Sequence, residues 1–306
     1  MSDVVTVTDV GPRDGLQNQP KVLTVAERLR LIDALAGAGL ASIEVGSFVS
    51  PKAVPAMAAT DAVVAGLPPA GSCRYSCLVL NMKGYELALA AGVRSVNMVL
   101  YASEGMASRN ANMSMAAAEE VTAAILARAR ADGIEVTATV AVAFVCPFDG
   151  PVDPGLVIAV ADKFLALGAD QLVIADTIGA AHPQAVRELT DSLVRAHDAD
   201  RLGCHFHDTR ALGLANVFAS LESGIRRFDA SIAGLGGCPF APGASGNVAT
   251  EDVAMMLEQM GFATGIDLDA LLRASDLAQA LTGTAPGGRA KNWLKPWLAK
   301  QAAQKK

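Results

Sequence analysis

The chain has 306 residues, 52% of them hydrophobic, enough for one large α/β barrel or two ordinary domains. Its formal charge of -6 gives no electrostatic reason to expect nucleic acid or an anionic membrane as partner. Five cysteines, odd in number and without CxxC spacing, argue against a disulfide framework and a structural zinc site, and read as reduced thiols. No apolar run of spanning length is present, and Met1-Ser2-Asp3 leads straight into an apolar strand, so the expectation is a soluble, cytoplasmic protein.

Short β-branched runs alternate with longer Ala/Leu-rich stretches of helical spacing. Strands are predicted at Val4 to Val10, Ser42 to Val45, Cys73 to Leu80, Ser95 to Leu100, Glu135 to Ala143, Gln171 to Ala175, Gly203 to His207 and Arg227 to Ile232. Helices are predicted near Val25 to Ala38, Ala116 to Asp132, Asp153 to Leu167, Pro183 to His197 and Ala211 to Ser223, most of them closed by Gly or Asp. Repeated βα units require parallel strands with right-handed crossovers, and about eight of them fit a closed (β/α)8 TIM barrel over residues of about 4–250. Beyond it, helical stretches near Thr250 to Met260 and Asp267 to Leu281 form a C-terminal extension, and Trp293 to Lys306 reads as a docked terminal helix with a polar end. The whole chain, 1–306, is expected to be a single catalytic domain.

A TIM barrel carries its chemistry at the C-terminal ends of its strands, and here those ends collect polar groups. After the first strand comes Gly11-Pro12-Arg13-Asp14-Gly15-Leu16-Gln17-Asn18, and Glu44 ends the second with Gly46-Ser47 beyond it. The sixth ends in Asp176-Thr177, the seventh carries His205 and His207, and the eighth opens into Gly234-Leu235-Gly236-Gly237-Cys238-Pro239. Alternation along a strand sends His205 and His207 to one face, where two imidazoles share a small volume. Such a pair is either a ligand set for a metal or two buried histidines satisfied by hydrogen bonds.

Agreement among the strand ends favours the metal. Asp14, His205 and His207 would supply a carboxylate and two imidazoles, Asn247 an amide oxygen, and open positions would remain for a bidentate substrate. Manganese, magnesium, zinc and iron all suit that set. Glu44 and Asp176 are better placed to orient the ligands and Arg13, the alternative for both being an ion pair with Arg13. The loop Gly234 to Asn247 has five glycines with Pro239 and Pro242 around Cys238, and reads either as a lid carrying a proton-transferring thiol or as a rigid corner with an incidental cysteine. Cys73, Cys77, Cys146 and Cys204 read as small apolar packing groups.

These residues make the chain similar to the 3-hydroxy-3-methylglutaryl-CoA lyases, within the metal-dependent lyase and Claisen-synthase barrels. The resemblance runs from about Val4 to beyond Glu251 and rests on the Gly11 to Asn18 turn, Glu44-Val45-Gly46-Ser47-Phe48-Val49-Ser50-Pro51 and Asn81-Met82-Lys83-Gly84. It continues through Asp176-Thr177-Ile178-Gly179, His205-Phe206-His207-Asp208-Thr209, the Gly-Gly-Cys-Pro loop and Gly243-Ala244-Ser245-Gly246-Asn247. It implies retro-Claisen cleavage of a 3-hydroxyacyl-CoA, in the standard case to acetyl-CoA and acetoacetate. The implied cofactor is a divalent metal, magnesium or manganese, and the implied assembly a homodimer. Arg13 would stabilise the enolate, Asp14 or Cys238 would move protons, and Gln17, Ser47 and Asn110 match positions near the substrate.

Two departures bear on the substrate. Arg210-Ala211-Leu212 replaces the usual Tyr-Gly-Gln run, and Val173 stands where well-known members carry a hydroxyl. They keep citramalyl-CoA and longer-branched 3-hydroxyglutaryl-CoA as alternative substrates. A catalytically silent barrel that binds acyl-CoA or metal is the alternative of a different class.

Overall fold

The computed structural model describes residues 3–68, 71, 73–237, 246–285 and 287–304. Eight parallel strands close into a barrel: β1 (Thr6–Asp9), β2 (Ser42–Ser47), β3 (Arg74–Leu78), β4 (Ser95–Tyr101), β5 (Glu135–Ala141), β6 (Gln171–Asp176), β7 (Leu202–Phe206) and β8 (Arg227–Ala230). They neighbour one another in chain order, and β8 closes the ring on β1 through Thr6↔Arg227 to Asp9↔Ala230. A two-residue antiparallel ribbon, Val145–Cys146 with Gly150–Pro151, follows β5.

The helices are α1 (Val25–Gly37), α2 (Thr60–Ala65), α3 (Met82–Ala90), α4 (Glu104–Ala111), α5 (Met115–Asp132), α6 (Pro154–Leu167), α7 (Pro183–Ala196), α8 (Gly213–Glu222), α9 (Thr250–Gln259), α10 (Leu268–Thr282) and α11 (Lys291–Gln304). Their ends follow from local chemistry. Thr24 and Glu27 form a reciprocal capping box at α1, and Asp153 caps α6 with Pro154 in its first turn. Gly133, Gly168 and Gly283 close α5, α6 and α10 in the left-handed region. The apolar core fills the layer between barrel and helices, with Leu31, Ile43, Met98, Phe164, Phe206 and Phe228 almost wholly buried. Among the described residues, no helix is long and apolar enough to cross a membrane.

Three details of the barrel position the site. The first strand is shorter than predicted, and Gly11–Gly15 winds into a wide helical turn immediately after it. A side chain at Gly15 would come within 2.8 Å of Leu235 and Ser231, so only glycine lets that turn lie against the exit of β8. The register of β2 against β3 shifts between Glu44 and Gly46. Behind that irregularity lies Arg28, 1% exposed, donating to the Val45 carbonyl at 3.1 Å, the Ala58 carbonyl at 3.0 Å and Thr60 Oγ1 at 3.4 Å.

The third detail is a clamp from the C-terminal part. Glu251 accepts from Ala233 N at 3.0 Å, Ser275 Oγ at 2.7 Å and Gly288 N at 2.8 Å. Asp252 accepts from Arg289 N at 2.7 Å and Ala290 N at 3.0 Å, while Arg289 Nε reaches Asp208 at 2.9 Å. The turn before α11 is thereby tied to the exits of both β7 and β8.

Asp9 at the end of β1 faces away from the barrel interior and is fully buried, accepting from Gly11 N at 2.8 Å and Thr250 Oγ1 at 2.6 Å. Burial pushes its carboxyl up to about 7 against those hydrogen bonds. The folded chain therefore keeps a proton that the unfolded chain releases near pH 4, so this group's contribution to stability falls as pH rises from about 4 to 7. Asp9→Asn should remove that slope. In urea titrations the variant's unfolding free energy should gain on the wild type by up to about 4 kcal/mol between pH 4 and 7, and a constant gap would refute the assignment.

Candidate active site

The turn after β1 delivers Arg13 and Asp14 into the barrel mouth, each 9% exposed. Arg13 donates from Nε to Glu44 Oε2 at 2.5 Å and from Nη1 to Asp14 Oδ1 at 2.7 Å. Gln17 Nε2 reaches the same Asp14 oxygen at 3.0 Å, and Asn247 Nδ2 holds the other at 2.8 Å. Glu44 accepts in addition from Asn97 Nδ2 at 3.2 Å, and Thr139 Oγ1 donates to Asn97 Oδ1 at 2.9 Å. Burial opposes charge on Arg13, yet Glu44 and Asp14 outweigh it and raise the guanidinium above its ordinary range. Burial would likewise raise Asp14, but Arg13 and the two histidines hold it down at about 2.

His205 and His207 project together as alternation requires, with ring centroids 5.2 Å apart. Asp229, the register partner of His205 on β8, meets His205 Nδ1 at 3.2 Å. With Nδ1–H donated to that carboxylate, Nε2 carries the lone pair. Burial alone would lower His205, and the Asp229 contact reverses the shift. Among the described residues no carboxylate hydrogen-bonds His207; burial, and then His205, push it down to about 4 against the attraction of Asp14, so it is neutral at physiological pH. Its Nδ1 and the Oδ1 of Asn247 are both buried without a hydrogen-bond partner among the described residues.

Those two orphaned atoms decide how the cluster is read. Ligand atoms of Asp14, His205 and His207 all lie within 4.8 Å of one another, and His207 pairs with Asn247 in an isolated backbone bridge. Buried lone pairs without donors are costly unless a cation satisfies them. One carboxylate, two imidazoles and one amide oxygen fit a divalent metal with open positions.

Gln17, Ser47 and Asn110 line the cavity of about 210 Å³ into which Arg13, Asp14, His205 and His207 open. Asn110 also donates to Tyr101 Oη at 2.9 Å. Asp176 departs from the ion pair considered from sequence. Its two oxygens accept from Ala180 N at 2.8 Å and Ala181 N at 3.0 Å, so it braces the turn that carries Thr177, and the carboxylates on Arg13 are Glu44 and Asp14. Cys238 lies outside the described residues. Val173 lines the polar chamber deeper in the barrel instead of this cavity, and Arg210 is exposed with its Nε on the Gly179 carbonyl at 3.0 Å.

The sequence reading passed over Asp229, Asn97 and Thr139. The available signal was parity: Asp229 is an acid inside the short strand Arg227–Ala230, on the inward side that β8 shares with the histidine face of β7. Asp229→Asn should loosen the orientation of His205 and weaken Mn2+ binding by about 10–100-fold in calorimetric titration, with the fold retained; unchanged affinity would remove Asp229 from the metal site.

The HMGL-like family matches residues 4–278 of the chain. Over 286 residues it is 43% identical to the 3-hydroxy-3-isohexenylglutaryl-CoA/hydroxymethylglutaryl-CoA lyase of Pseudomonas aeruginosa, covering 94% of this chain and 95% of the relative. It is 43% identical over 293 residues to the (R)-citramalyl-CoA lyase of Chloroflexus aurantiacus, covering 92% of each. Among solved structures, the HMG-CoA lyase of Acinetobacter baumannii in complex with coenzyme A and 3-methylmalate superposes with a TM-score of 0.91 at 40% identity over 95% of both chains. The cluster of possible metal ligands beside a buried arginine thus lies in a barrel whose sequence is like that of these lyases along nearly its whole length, and the chain belongs to the HMGL-like family.

Proposed function

We propose that the protein is a divalent-metal-dependent carbon–carbon lyase that cleaves (S)-3-hydroxy-3-methylglutaryl-CoA to acetyl-CoA and acetoacetate. The observation that carries this reading is the Arg13 guanidinium, desolvated and held by Glu44 and Asp14 beside the three-residue metal cluster. The names of the relatives support it. Magnesium or manganese is the metal we assign, and a homodimer the assembly.

A cation held by Asp14, His205, His207 and Asn247 would supply Lewis acidity to a hydroxyl and a carboxylate of the substrate. The remaining steps belong to the chain. The C3 hydroxyl gives up its proton to Asp14 or Cys238, the C3 oxygen becomes a carbonyl, and the C2–C3 bond breaks with its electron pair moving onto the thioester as an enolate. Arg13 faces that developing negative charge. Nε and Nη1 are committed to carboxylates, which fixes the plane of the guanidinium and leaves N–H donors for the thioester oxygen. A proton delivered to C2 completes acetyl-CoA, and Cys238 is the group we assign to that delivery. Gln17, Ser47 and Asn110 are the polar contacts proposed for the acyl portion.

Citramalyl-CoA is the second reading, favoured by the 43% identity to a lyase named for that substrate. It needs the same bond cleavage, with pyruvate replacing acetoacetate. Offering both thioesters to Mn2+-loaded protein and scoring acetyl-CoA with acetoacetate or pyruvate separates the two; we expect 3-hydroxy-3-methylglutaryl-CoA to be preferred. Arg13→Gln should lower kcat/KM by at least about 100-fold, mostly in kcat, while Mn2+ affinity stays within about threefold. Near-normal turnover in that variant would end the enolate role.

A further inference from the structure

Arg13 can face a developing enolate only while its plane is fixed, and that plane rests largely on Glu44. Glu44 lies below the cavity, in the polar chamber deeper in the barrel, and takes Arg13 Nε on Oε2 at 2.5 Å. The other anchor, Asp14 on Nη1, leaves the guanidinium free to swing about a single contact. A carboxylate gripped at one oxygen also still turns about its last side-chain bond, because that torsion is broad and roughly twofold. The partner of the second Glu44 oxygen therefore decides whether the arginine has one orientation or several. Among the described residues, that partner is Asn97 Nδ2 at 3.2 Å.

Asn97 is itself aimed. It sits on β4 in register with Thr137 of β5, and Thr139, two residues on, projects to the same inward face. Asn97 borders both the metal cavity and the chamber below it, so it spans the step between Arg13 and Glu44. A carboxylate only accepts, so the amide must turn its nitrogen to Glu44 and its oxygen away. That oxygen meets Thr139 Oγ1 at 2.9 Å, and the hydroxyl donates to it. The result is a directed chain from Thr139 through Asn97 to Glu44, ending on the carboxylate that Arg13 also grips. Among the described residues, neither side chain hydrogen-bonds Asp14, His205, His207 or Asn247.

Resting on the lyase reading, we infer that Asn97 is a positioning residue for Arg13, acting through Glu44, and that Thr139 is the support that aims its amide. With both Glu44 oxygens held, the carboxylate has one orientation, and the unused N–H groups of Arg13 meet the thioester oxygen without a search. The pair acts on the arginine side of the site alone, so metal binding is independent of it.

The test uses Mn2+-loaded protein and whichever of 3-hydroxy-3-methylglutaryl-CoA and citramalyl-CoA the wild type prefers, with acetyl-CoA release as readout. Asn97→Leu keeps a similar volume and removes the donor; it should lower kcat by about 10–100-fold, with KM and Mn2+ affinity within about threefold of the wild type. Thr139→Val should lower kcat by about 3–10-fold, and Thr139→Ser, which keeps the hydroxyl, should recover most of that loss. Combined with Arg13→Gln, neither Asn97→Leu nor Thr139→Val should lower kcat by more than about a further twofold, a coupling that a purely structural role does not produce. Thermal melts verify folding, and the two Thr139 variants carry the test if Asn97→Leu does not fold. Unchanged turnover in Asn97→Leu overturns the inference. A loss that falls on KM also overturns it, because the pair would then touch the acyl portion directly. Losses that multiply with that of Arg13→Gln, or a Thr139→Ser as impaired as Thr139→Val, do the same. Wild-type protein that binds Mn2+ and cleaves neither thioester overturns the lyase reading and this inference with it, an outcome read before any variant is made.

Discussion

The arrangement depends on one buried cation shared by two carboxylates. Arg13 ties Glu44 at the end of β2 to Asp14 after β1, and Asp14 in turn receives Asn247 from beyond β8 and stands 3.9 Å from His207. Three strand exits and a return segment are thus joined through one charge network. Ions this deeply buried are tolerable only when each is paired, and removing one partner strands the other at a cost of about 3–5 kcal/mol. The network also divides the chemistry: it keeps Asp14 ionised for a metal, and it orients Arg13 so that its unused N–H groups address the cavity.

A contrasting cation lies on the other side of the same strand. Arg28 is only 1% exposed, yet its hydrogen bonds go to the Val45 and Ala58 carbonyls and to Thr60, with no carboxylate among them. Burial lowers its hold on the proton accordingly. Its bond to the Val45 carbonyl falls within the Glu44–Gly46 irregularity, the same place that lets Glu44 and Ser47 both turn toward the barrel interior. Gly46 leaves room for the guanidinium, since an added side chain there would meet it at 2.7 Å.

Much of this was legible in the residues because it rests on periodicity. Alternation of β-branched and Ala/Leu-rich runs predicts the eight-stranded barrel, and the two-residue spacing of His205 and His207 predicts a shared face. What escaped depends on register and depth, which spacing along one strand does not carry. Asp229 meets His205 only because β8 pairs with β7 as it does, and Val173 lines the lower chamber only because of its height on β6. Asp176 stands at a strand end, and its oxygens accept from the backbone N–H groups of Ala180 and Ala181 in the turn that follows. The tautomer that leaves His205 Nε2 open and the orphaned atoms on His207 and Asn247 emerge only from atomic neighbours.

The clamp of Glu251 and Asp252 on the 288–290 backbone, with Arg289 on Asp208, bears on the order in which the protein becomes itself. Synthesis is vectorial, and the turn that braces the exits of β7 and β8 emerges after all eight barrel strands. Closure of the ring already waits for β8 to find β1, a contact of very long sequence separation and therefore slow to form. A nascent chain that has just released its eighth strand holds every charged group of the network without the turn that secures their setting. Until β8 meets β1 their unpaired edges are exposed, which makes the chain at that stage the species most in need of a chaperone.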